Sequence, residues 1–263
     1  MPFLSFDAYN VVSSLIVSLV IQAVFFAIAA ILVTDKVTDL SYSLSFVSIT
    51  LLLLFLERAY APLQLLAAAI VVMWGARLGG YLFVRIHKMK RDRRFDGIRE
   101  NPMRFLRFWI LQAVVVWLVM LPQTVLLSTP DPPAPVTVSW IGILLCAVGG
   151  VLESVADAQK YRFKTSEGET SGWISSGVWK YSRHPNYFGE MLVWWGLFLT
   201  ALPVYEGALW LTAVGPVSIT LILLFVTGIP PLERKYEEAF GDDPRYQEYK
   251  RNTRLLVPLP RSR

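Results

Sequence analysis

The stretch VVSSLIVSLVIQAVFFAIAAILV, residues 11–33, carries no charged side chain. A helix that crosses a membrane needs about 20 apolar residues, because the hydrocarbon core is about 30 Å thick and a helix rises about 1.5 Å per residue. The stretch is too long for the apolar core of a signal peptide, and no basic residue precedes it. Residues 11–33 are therefore predicted to form a retained membrane-spanning helix.

Further apolar stretches along the chain meet the same criterion. The seven predicted spans lie near 11–33, 41–56, 63–85, 105–127, 137–156, 186–203 and 207–228, and the second and sixth are short. The chain has 263 residues, of which 54% are hydrophobic, so it has too little polar surface for a soluble domain of that length. We expect an all-α fold, a polytopic membrane helix bundle of about seven spans that forms a single domain.

Basic residues in the connections predict the orientation, since cytoplasmic loops are enriched in Lys and Arg. The connections after the third and fifth spans and the C-terminal tail are basic, whereas 128–136 and 203–206 contain neither residue type. The N-terminus is therefore expected outside and the C-terminus in the cytoplasm. The first basic connection also suits contact with anionic lipid headgroups. It carries Arg85, Lys88, Lys90, Arg91, Arg93, Arg94, Arg99 and Arg104.

Composition also excludes several classes of site. Cys146 is the only cysteine and lies in an apolar stretch, which excludes a disulfide framework and a cysteine-ligated metal. Two histidines and no clustered carboxylates argue against any other metal site. No soluble domain or basic stretch with interleaved aromatic residues is present to bind nucleic acid.

Polar residues concentrate in two segments on the basic side, 153–190 and 233–258. In the first, a polar stripe recurs at three- and four-residue spacing, which places it on one side of a helix that leaves the membrane. It consists of Glu153, Asp157, Lys160 and Lys164. Such a stripe is either a solvated helix end with ordinary ion pairs or, if it turns inward, part of a site.

The segment KYSRHPNYFGE, residues 180–190, is the densest group of polar side chains. Pro185 fits the first turn of a helix, where its missing N–H has no cost. The free amides of that turn, preceded by Arg183 and His184, suit an anion such as a phosphate. By itself His184 is more simply explained as a capping or packing residue. The polar side chains at the start of this span are those of Asn186, Tyr187 and Glu190, the last an ionisable group one turn inside the apolar stretch.

The tail, residues 232–260, is predicted to form a short amphipathic helix, a Gly-Asp turn and a second helical piece that ends in a strand-like segment. Tyr236, Tyr246 and Tyr249 alternate with charged residues in it. Aromatic rings beside basic groups either sandwich an adenine or anchor the chain at the membrane interface.

Two motifs in this order resemble those of a known family. SGVWKYSRHPNYFGE, residues 176–190, resembles the SGWWG-x-x-RHPNY-x-GD signature of membrane sterol reductases, and ADAQKYRFK, residues 156–164, is similar to their AN-x-QK-x-x-FR segment. The tail also resembles these families, with an acidic residue before a Lys-Tyr pair, a Gly, and then aromatic-x-x-Tyr before a closing Pro. The chain looks most like the bacterial seven-span steroid 5-alpha-reductase-like family, and the resemblance is strong over 150–260.

The resemblance implies an NADPH-dependent reductase that reduces a C=C bond in a lipophilic substrate, in a bacterial inner membrane. Residues 1–130 would line the lipid-substrate side, and 137–263 would bind the cofactor from the cytoplasmic side. Lys160 and Lys164 match cations that meet phosphates, although Lys164 replaces an Arg and loses bidentate geometry. The other matching positions are Asp157, Trp179, Arg183, His184, Asn186, Tyr187 and Glu190, where Glu190 replaces an Asp and keeps the carboxylate.

The proton donor, or the group that polarises the carbonyl of an enone, is expected in the early helices. Steroid 5-alpha-reductases use a Glu and a Tyr there, and the corresponding candidates are Glu57 and Tyr81. The simpler alternatives are an interfacial Glu57–Arg58 pair and a packing role for Tyr81.

Two other functions stay open at this point. Membrane isoprenylcysteine and phospholipid methyltransferases also resemble the RHP-x-Y-x-G motif and the tail, but they bind S-adenosylmethionine. Asn186, Glu190 and the two cations of the ADAQKYRFK segment favour the reductase. A non-catalytic protein that handles lipid or haem is the third possibility. The substrate class is as broad as a steroid, a polyprenoid, a fatty enoyl chain or an enone lipid.

Overall fold

The computed structural model describes residues 7–89, 95–165 and 172–260, with the backbone alone over 85–89. Lys90, Arg91, Arg93 and Arg94 of the first basic connection lie outside these residues, as do the side chains of Arg85 and Lys88. The described part is helical and contains no strand, only one isolated parallel bridge between Ser182 and Arg254. The helices are α1 Val11–Ile31, α2 Thr38–Leu56, α3 Pro62–Met89, α4 Pro102–Ser128, α5 Thr137–Thr165, α6 Pro185–Thr200, α7 Val214–Leu221, α8 Ile229–Phe240 and α9 Pro244–Asn252.

The predicted membrane helix bundle is confirmed. Within the described residues, six segments are long and apolar enough to span a membrane: α1 to α5 and the segment Gly207–Phe240. The predicted sixth span corresponds to α6, whose 16 residues are about 24 Å long. The predicted seventh span is not one regular helix, because it runs through a 3₁₀ segment Gly207–Ala213, α7 and a π-helical segment Ile222–Val226. The protein is therefore an integral membrane protein.

The chain divides into two compact units. The first comprises residues 1–143 and 197–215, and the second comprises 144–196 and 216–263. In the first unit α1 packs against α2 and α4, and α2 packs against α3. Buried amides join three of these helices: Gln112 Nε2 donates to Gln22 Oε1 at 2.9 Å, and Gln22 Nε2 donates to Ser45 Oγ at 2.9 Å. Such bonds stabilise helix association where no water competes.

An ion-pair cluster closes the basic end of the first unit. Arg99 is buried, and its Nη1 lies 2.7 Å from Asp35 Oδ1. The same guanidinium contacts Asp96 and Glu100. Because a buried cation is costly without partners, these carboxylates fix the 95–100 turn against the α1–α2 connection. Arg99, predicted only as a surface or orienting charge, is thus part of the packing.

The second unit is organised around the crossing of α5 and α6. A Cβ atom on Gly149 would lie 2.5 Å from the carbonyl oxygen of Gly189, and one on Gly189 would lie 2.6 Å from that of Gly149. The two backbones are therefore in direct contact, which glycine alone permits. Cys146 Sγ donates to Val193 O at 3.3 Å along the same contact.

The tail folds as predicted. The amphipathic helix is α8, the turn is at Gly241, and the second helical piece is α9, capped by Asp243 Oδ1, which accepts from Arg245 N at 2.8 Å. The strand-like end is the bridge to Ser182, where Arg183 N donates to Arg254 O at 2.9 Å. The tail is therefore attached to the residues immediately before α6.

The glycine contact predicts a position-specific effect on stability. Gly149→Ala should lower the melting temperature of the detergent-purified protein by several degrees, because an inserted methyl costs about 1–3 kcal/mol in a packed contact. Gly150→Ala is the matched control, since a Cβ there meets no atom within 4 Å. Thermal unfolding that is the same for both variants would contradict the close contact.

Candidate functional site

The polar stripe at the end of α5 turns inward at its first two members. Glu153 is 2% exposed and Asp157 is 6% exposed, whereas Lys164 is exposed and Lys160 is half-buried. Asn186 Nδ2 in the first turn of α6 donates to Asp157 Oδ1 at 3.4 Å. The interpretation as an ordinary solvated helix end therefore holds for Lys164 only, and the buried carboxylates belong to the α5–α6 contact.

Trp179 connects the α5 stripe to the segment before α6. It lies in the 3₁₀ turn Gly177–Lys180, is 3% exposed, and donates from Nε1 to Ala156 O at 3.0 Å. Lys160 Nζ lies 4.9 Å from the centre of its ring, within cation–π range. The ring therefore positions the ammonium group of Lys160 beside the start of α6.

Glu233 is the central residue that the sequence interpretation missed. Its carboxylate lies 3.2 Å from Arg183 Nη2 and 2.8 Å from His184 Nε2. The residue stands in the first turns of α8, whose Pro-containing N-terminus begins at Ile229. The available signal was the acidic residue before the Lys-Tyr pair of the tail, which was part of the resemblance but not of the predicted site.

His184 is an uncharged hydrogen-bonding group at neutral pH. Burial lowers its pKa from the ordinary value, and the nearby cations Lys160 and Arg183 act in the same direction, while the bond to Glu233 opposes them. The neutral ring then donates its Nε2 proton to Glu233. Tyr187 stacks on the ring at 5.6 Å with an interplanar angle of 6°. The positive charge before α6 thus comes from Arg183.

Two buried polar atoms at this point have no hydrogen-bond partner among the described residues. They are Arg183 Nε and Asn186 Oδ1. A buried donor or acceptor without a partner costs about 1–3 kcal/mol, so such atoms require an explanation. They flank the first turn of α6, whose backbone N–H groups lie at the positive end of the helix. A ligand that carries an acceptor oxygen for Arg183 Nε and a hydrogen-bond donor for Asn186 Oδ1 is one explanation.

The tail tyrosines pack around a tryptophan. Trp173 lies 5.1 Å from Tyr246, 5.5 Å from Phe240 and 6.3 Å from Tyr249, as measured between ring centres. Tyr236 stacks on Phe240 at 6.1 Å. Burial raises the pKa of Tyr246 to about 12. An indole of the chain itself therefore lies among these rings.

Six of the predicted cofactor residues line a small cavity, namely Trp179, Arg183, His184, Tyr236, Tyr246 and Tyr249. Its volume is about 20 Å³, which is roughly the space for one water molecule. The lining includes Arg183, His184, Glu233, Tyr236 and Trp173. The side chains are therefore brought together, but the space among them is filled.

A model of the family described as "Protein of unknown function (DUF1295)" matches residues 25–253. This covers most of both units. The chain belongs to the DUF1295 family. Searches of curated proteins and of solved structures found no match. The match supports a membrane family and gives no reaction, so the site of this DUF1295 protein has to be interpreted from its own chemistry.

The two residues predicted to be catalytic lie in the first unit of the DUF1295 protein. Glu57 follows α2, and its Oε1 accepts from Asn10 Nδ2 at 3.0 Å, while the same amide donates to Ser128 Oγ at 2.9 Å. Glu57 therefore lies at the C-terminal end of α2, whereas Asp35 and Arg99 lie near its N-terminal end. Tyr81 lies within α3 and is half-buried.

Glu190, the remaining predicted site residue, lies in the second turn of α6 and is half-buried. It directly follows Gly189, the residue at which α5 and α6 touch. The helix crossing therefore sets the level of this carboxyl group relative to α5.

The lowered pKa of His184 predicts a stability change in mild acid. Because the unfolded histidine takes up a proton near its ordinary pKa of about 6.5 while the folded one resists, stability should fall as pH drops from 7 to 5. His184→Gln keeps a donor toward Glu233 but cannot titrate, so its melting temperature should fall less over that range. Thermal unfolding in detergent at stepped pH measures both. An equal decline in the two proteins would contradict this assignment.

Proposed function

We propose that the protein is an NADPH-dependent reductase of a C=C bond in a lipophilic, steroid-like or enone lipid. The observation that carries the proposal is the pair of partnerless buried atoms, Arg183 Nε and Asn186 Oδ1, at the start of α6. A donor on a cation beside helix N-terminal amides suits a phosphate oxygen. The proposed location is a bacterial inner membrane, with this end of the second unit in the cytoplasm.

The groups around these atoms fit a phosphorylated dinucleotide. Arg183, Lys160 and Lys164 are cations that suit its phosphates. Asp157 and Glu233 are carboxylates that accept hydrogen bonds from ribose hydroxyls, as acidic residues do in other dinucleotide sites. The set therefore supplies partners for the phosphates and the ribose hydroxyls of the cofactor.

In the proposed reaction the cofactor and the protein supply different groups. NADPH supplies a hydride when it is bound. The chain has to hold an apolar substrate away from water and deliver a proton to the neighbouring carbon, or polarise the carbonyl of an enone. Of the two predicted proton donors, Tyr81 keeps that proposed role, because Glu57 lies at the end of α2 away from the basic connection. The membrane helices supply the apolar surroundings.

Binding requires the aromatic cluster of the tail to rearrange. A cavity of about 20 Å³ does not hold a nucleotide ring. Trp173 lines that cavity together with the tail tyrosines, and it lies in an irregular segment before the 3₁₀ turn. We propose that a planar ring of the cofactor takes the place of the indole among Phe240, Tyr246 and Tyr249.

One observation favours the S-adenosylmethionine-dependent methyltransferase as a second candidate. Glu233 pairs with both Arg183 and His184, so the carboxylate already neutralises the cation before α6. A cofactor without phosphates, carrying a sulfonium and an ammonium group, suits Glu233 and Asp157 as well. The two candidates differ in which ligand stabilises the folded protein.

NADPH should raise the melting temperature of the purified protein, since a ligand that binds only the folded state stabilises it. In Arg183→Gln the apparent Kd should rise about tenfold or more, because a charge-assisted hydrogen bond contributes about 1.5–3 kcal/mol. Arg234→Gln, an exposed arginine on α8, is the charge-matched control and should bind as wild type. Tyr81→Phe should also bind NADPH normally but reduce an enone slowly.

Stabilisation by S-adenosylmethionine without any by NADPH would replace the reductase by the methyltransferase. Equal NADPH binding in Arg183→Gln and Arg234→Gln would remove the proposed site. Stabilisation by neither ligand would favour a non-catalytic protein that handles lipid or haem.

Replacing Trp173 tests the proposed rearrangement. Trp173→Ala should bind NADPH several-fold more tightly than wild type, because no indole has to leave the cluster, and Trp173→Phe should lie between them. Titration followed by NADPH fluorescence gives the affinities, and thermal unfolding without ligand checks that each variant is folded. Unchanged or weaker binding by the alanine variant would show that the indole does not compete with the cofactor.

A further inference from the structure

The second unit has a second, larger cavity outside the candidate site, an open groove. Its volume is about 410 Å³, within the range of small-molecule sites. Tyr249 is the only residue shared by the linings of the two cavities. The side chains that characterise this groove are Lys180, Tyr181, Arg245, Glu248 and Leu259.

The groove is built where the tail meets the start of α6. Ser182 bridges to Arg254, and its Oγ donates to Leu256 O at 2.6 Å. Thr253, which directly precedes Arg254, is buried. The bridge lies three residues before Pro185, the first residue of α6. Since α6 is the apolar helix of the predicted sixth span, its beginning marks the level of the membrane surface.

Apolar side chains are exposed beside the groove, outside every candidate span. Tyr181 is 42% exposed and Leu259 is 49% exposed, and Leu255 and Val257 are similarly open. Such groups are unfavourable in water and suit the boundary between headgroups and acyl chains, where apolar side chains are buried by about 5–10 Å. The outer wall of the groove therefore suits a lipid chain.

The charged side chains of the groove suit a phosphate. Lys180 and the segment 243–260 together carry five cationic and two anionic side chains. Lys180 is exposed, and the side chain of Arg245 is 83% exposed while its Nη2 lies 2.8 Å from Asp243 Oδ2. Cations at this level attract anionic lipids electrostatically.

We propose that this groove binds one anionic phospholipid. The phosphate lies at Lys180 and Arg245, and the acyl chain follows Tyr181 and Leu259. Glu248 accepts hydrogen bonds from hydroxyl groups of the headgroup, which favours a glycerol headgroup over a choline. The bound lipid stabilises the junction between the tail and α6, independently of the reaction at the candidate site.

Native mass spectrometry of the full chain, delipidated in a neutral detergent, tests this proposal. The lipids are phosphatidylglycerol and phosphatidylcholine with the same acyl chains. Wild type should bind phosphatidylglycerol at least fivefold more tightly. In the double variant Lys180→Gln with Arg245→Gln this preference should disappear. The matched control is Arg234→Gln with Lys235→Gln, which removes two exposed cations of the same unit that do not line the groove.

Three other results would overturn the proposal. Retention of the phosphatidylglycerol preference by the double variant, or equal binding of both lipids by wild type, would overturn it. Displacement of the lipid by millimolar inorganic phosphate would indicate a phosphate site in place of a lipid site, and would also overturn it. Thermal unfolding of both double variants checks their folding. NADPH should stabilise both double variants equally. A wrong lipid proposal can therefore be distinguished from a wrong proposal of the reductase function.

Discussion

The direct contact of the α5 and α6 backbones at Gly149 and Gly189 is the constraint on which the second unit depends. A side chain at either position would separate the helices, because the nearest atoms are backbone oxygens that have no room to move. The close approach brings the buried carboxylates of α5 beside the first turn of α6. The hydrogen bond between Asn186 and Asp157 follows from it. The positions of the polar groups at the start of α6 therefore depend on these two glycines.

Electrostatic balance around Arg183 sets what the site can bind. Glu233 pairs with part of the guanidinium and accepts a hydrogen bond from the neutral ring of His184. One donor of Arg183 and one acceptor of Asn186 are left without partners in the described residues. A buried polar atom without a partner destabilises the folded protein. A ligand that forms hydrogen bonds with both atoms removes this cost, which contributes to its binding free energy. Dinucleotide phosphates and ribose hydroxyls meet both requirements.

The C-terminal tail is a structural part of the site. Through Glu233 it reaches the residues before α6, through Tyr249 it reaches the carbonyl of Trp179 at 2.9 Å, and through the bridge at Arg254 it is attached to Ser182. The proposed lipid groove lies along the same attachment. A phospholipid held there would stabilise the junction on which the candidate site depends, and the two proposals concern different faces of that junction.

Hydropathy alone determined the membrane helix bundle and most helix positions, because the bilayer imposes a length that any apolar helix must meet. It placed the end of the fifth span near 156, whereas the spacing of the polar stripe predicted the continuation of the helix, which reaches Thr165. Pro185, the α5 stripe and the tail helices were also predictable from local chemistry. The pairing of Glu233 with Arg183, the insertion of Trp173 among the tail rings and the glycine contact were decided by tertiary structure alone. Each joins residues far apart in the chain, and single-sequence periodicity contains no information about which distant groups meet.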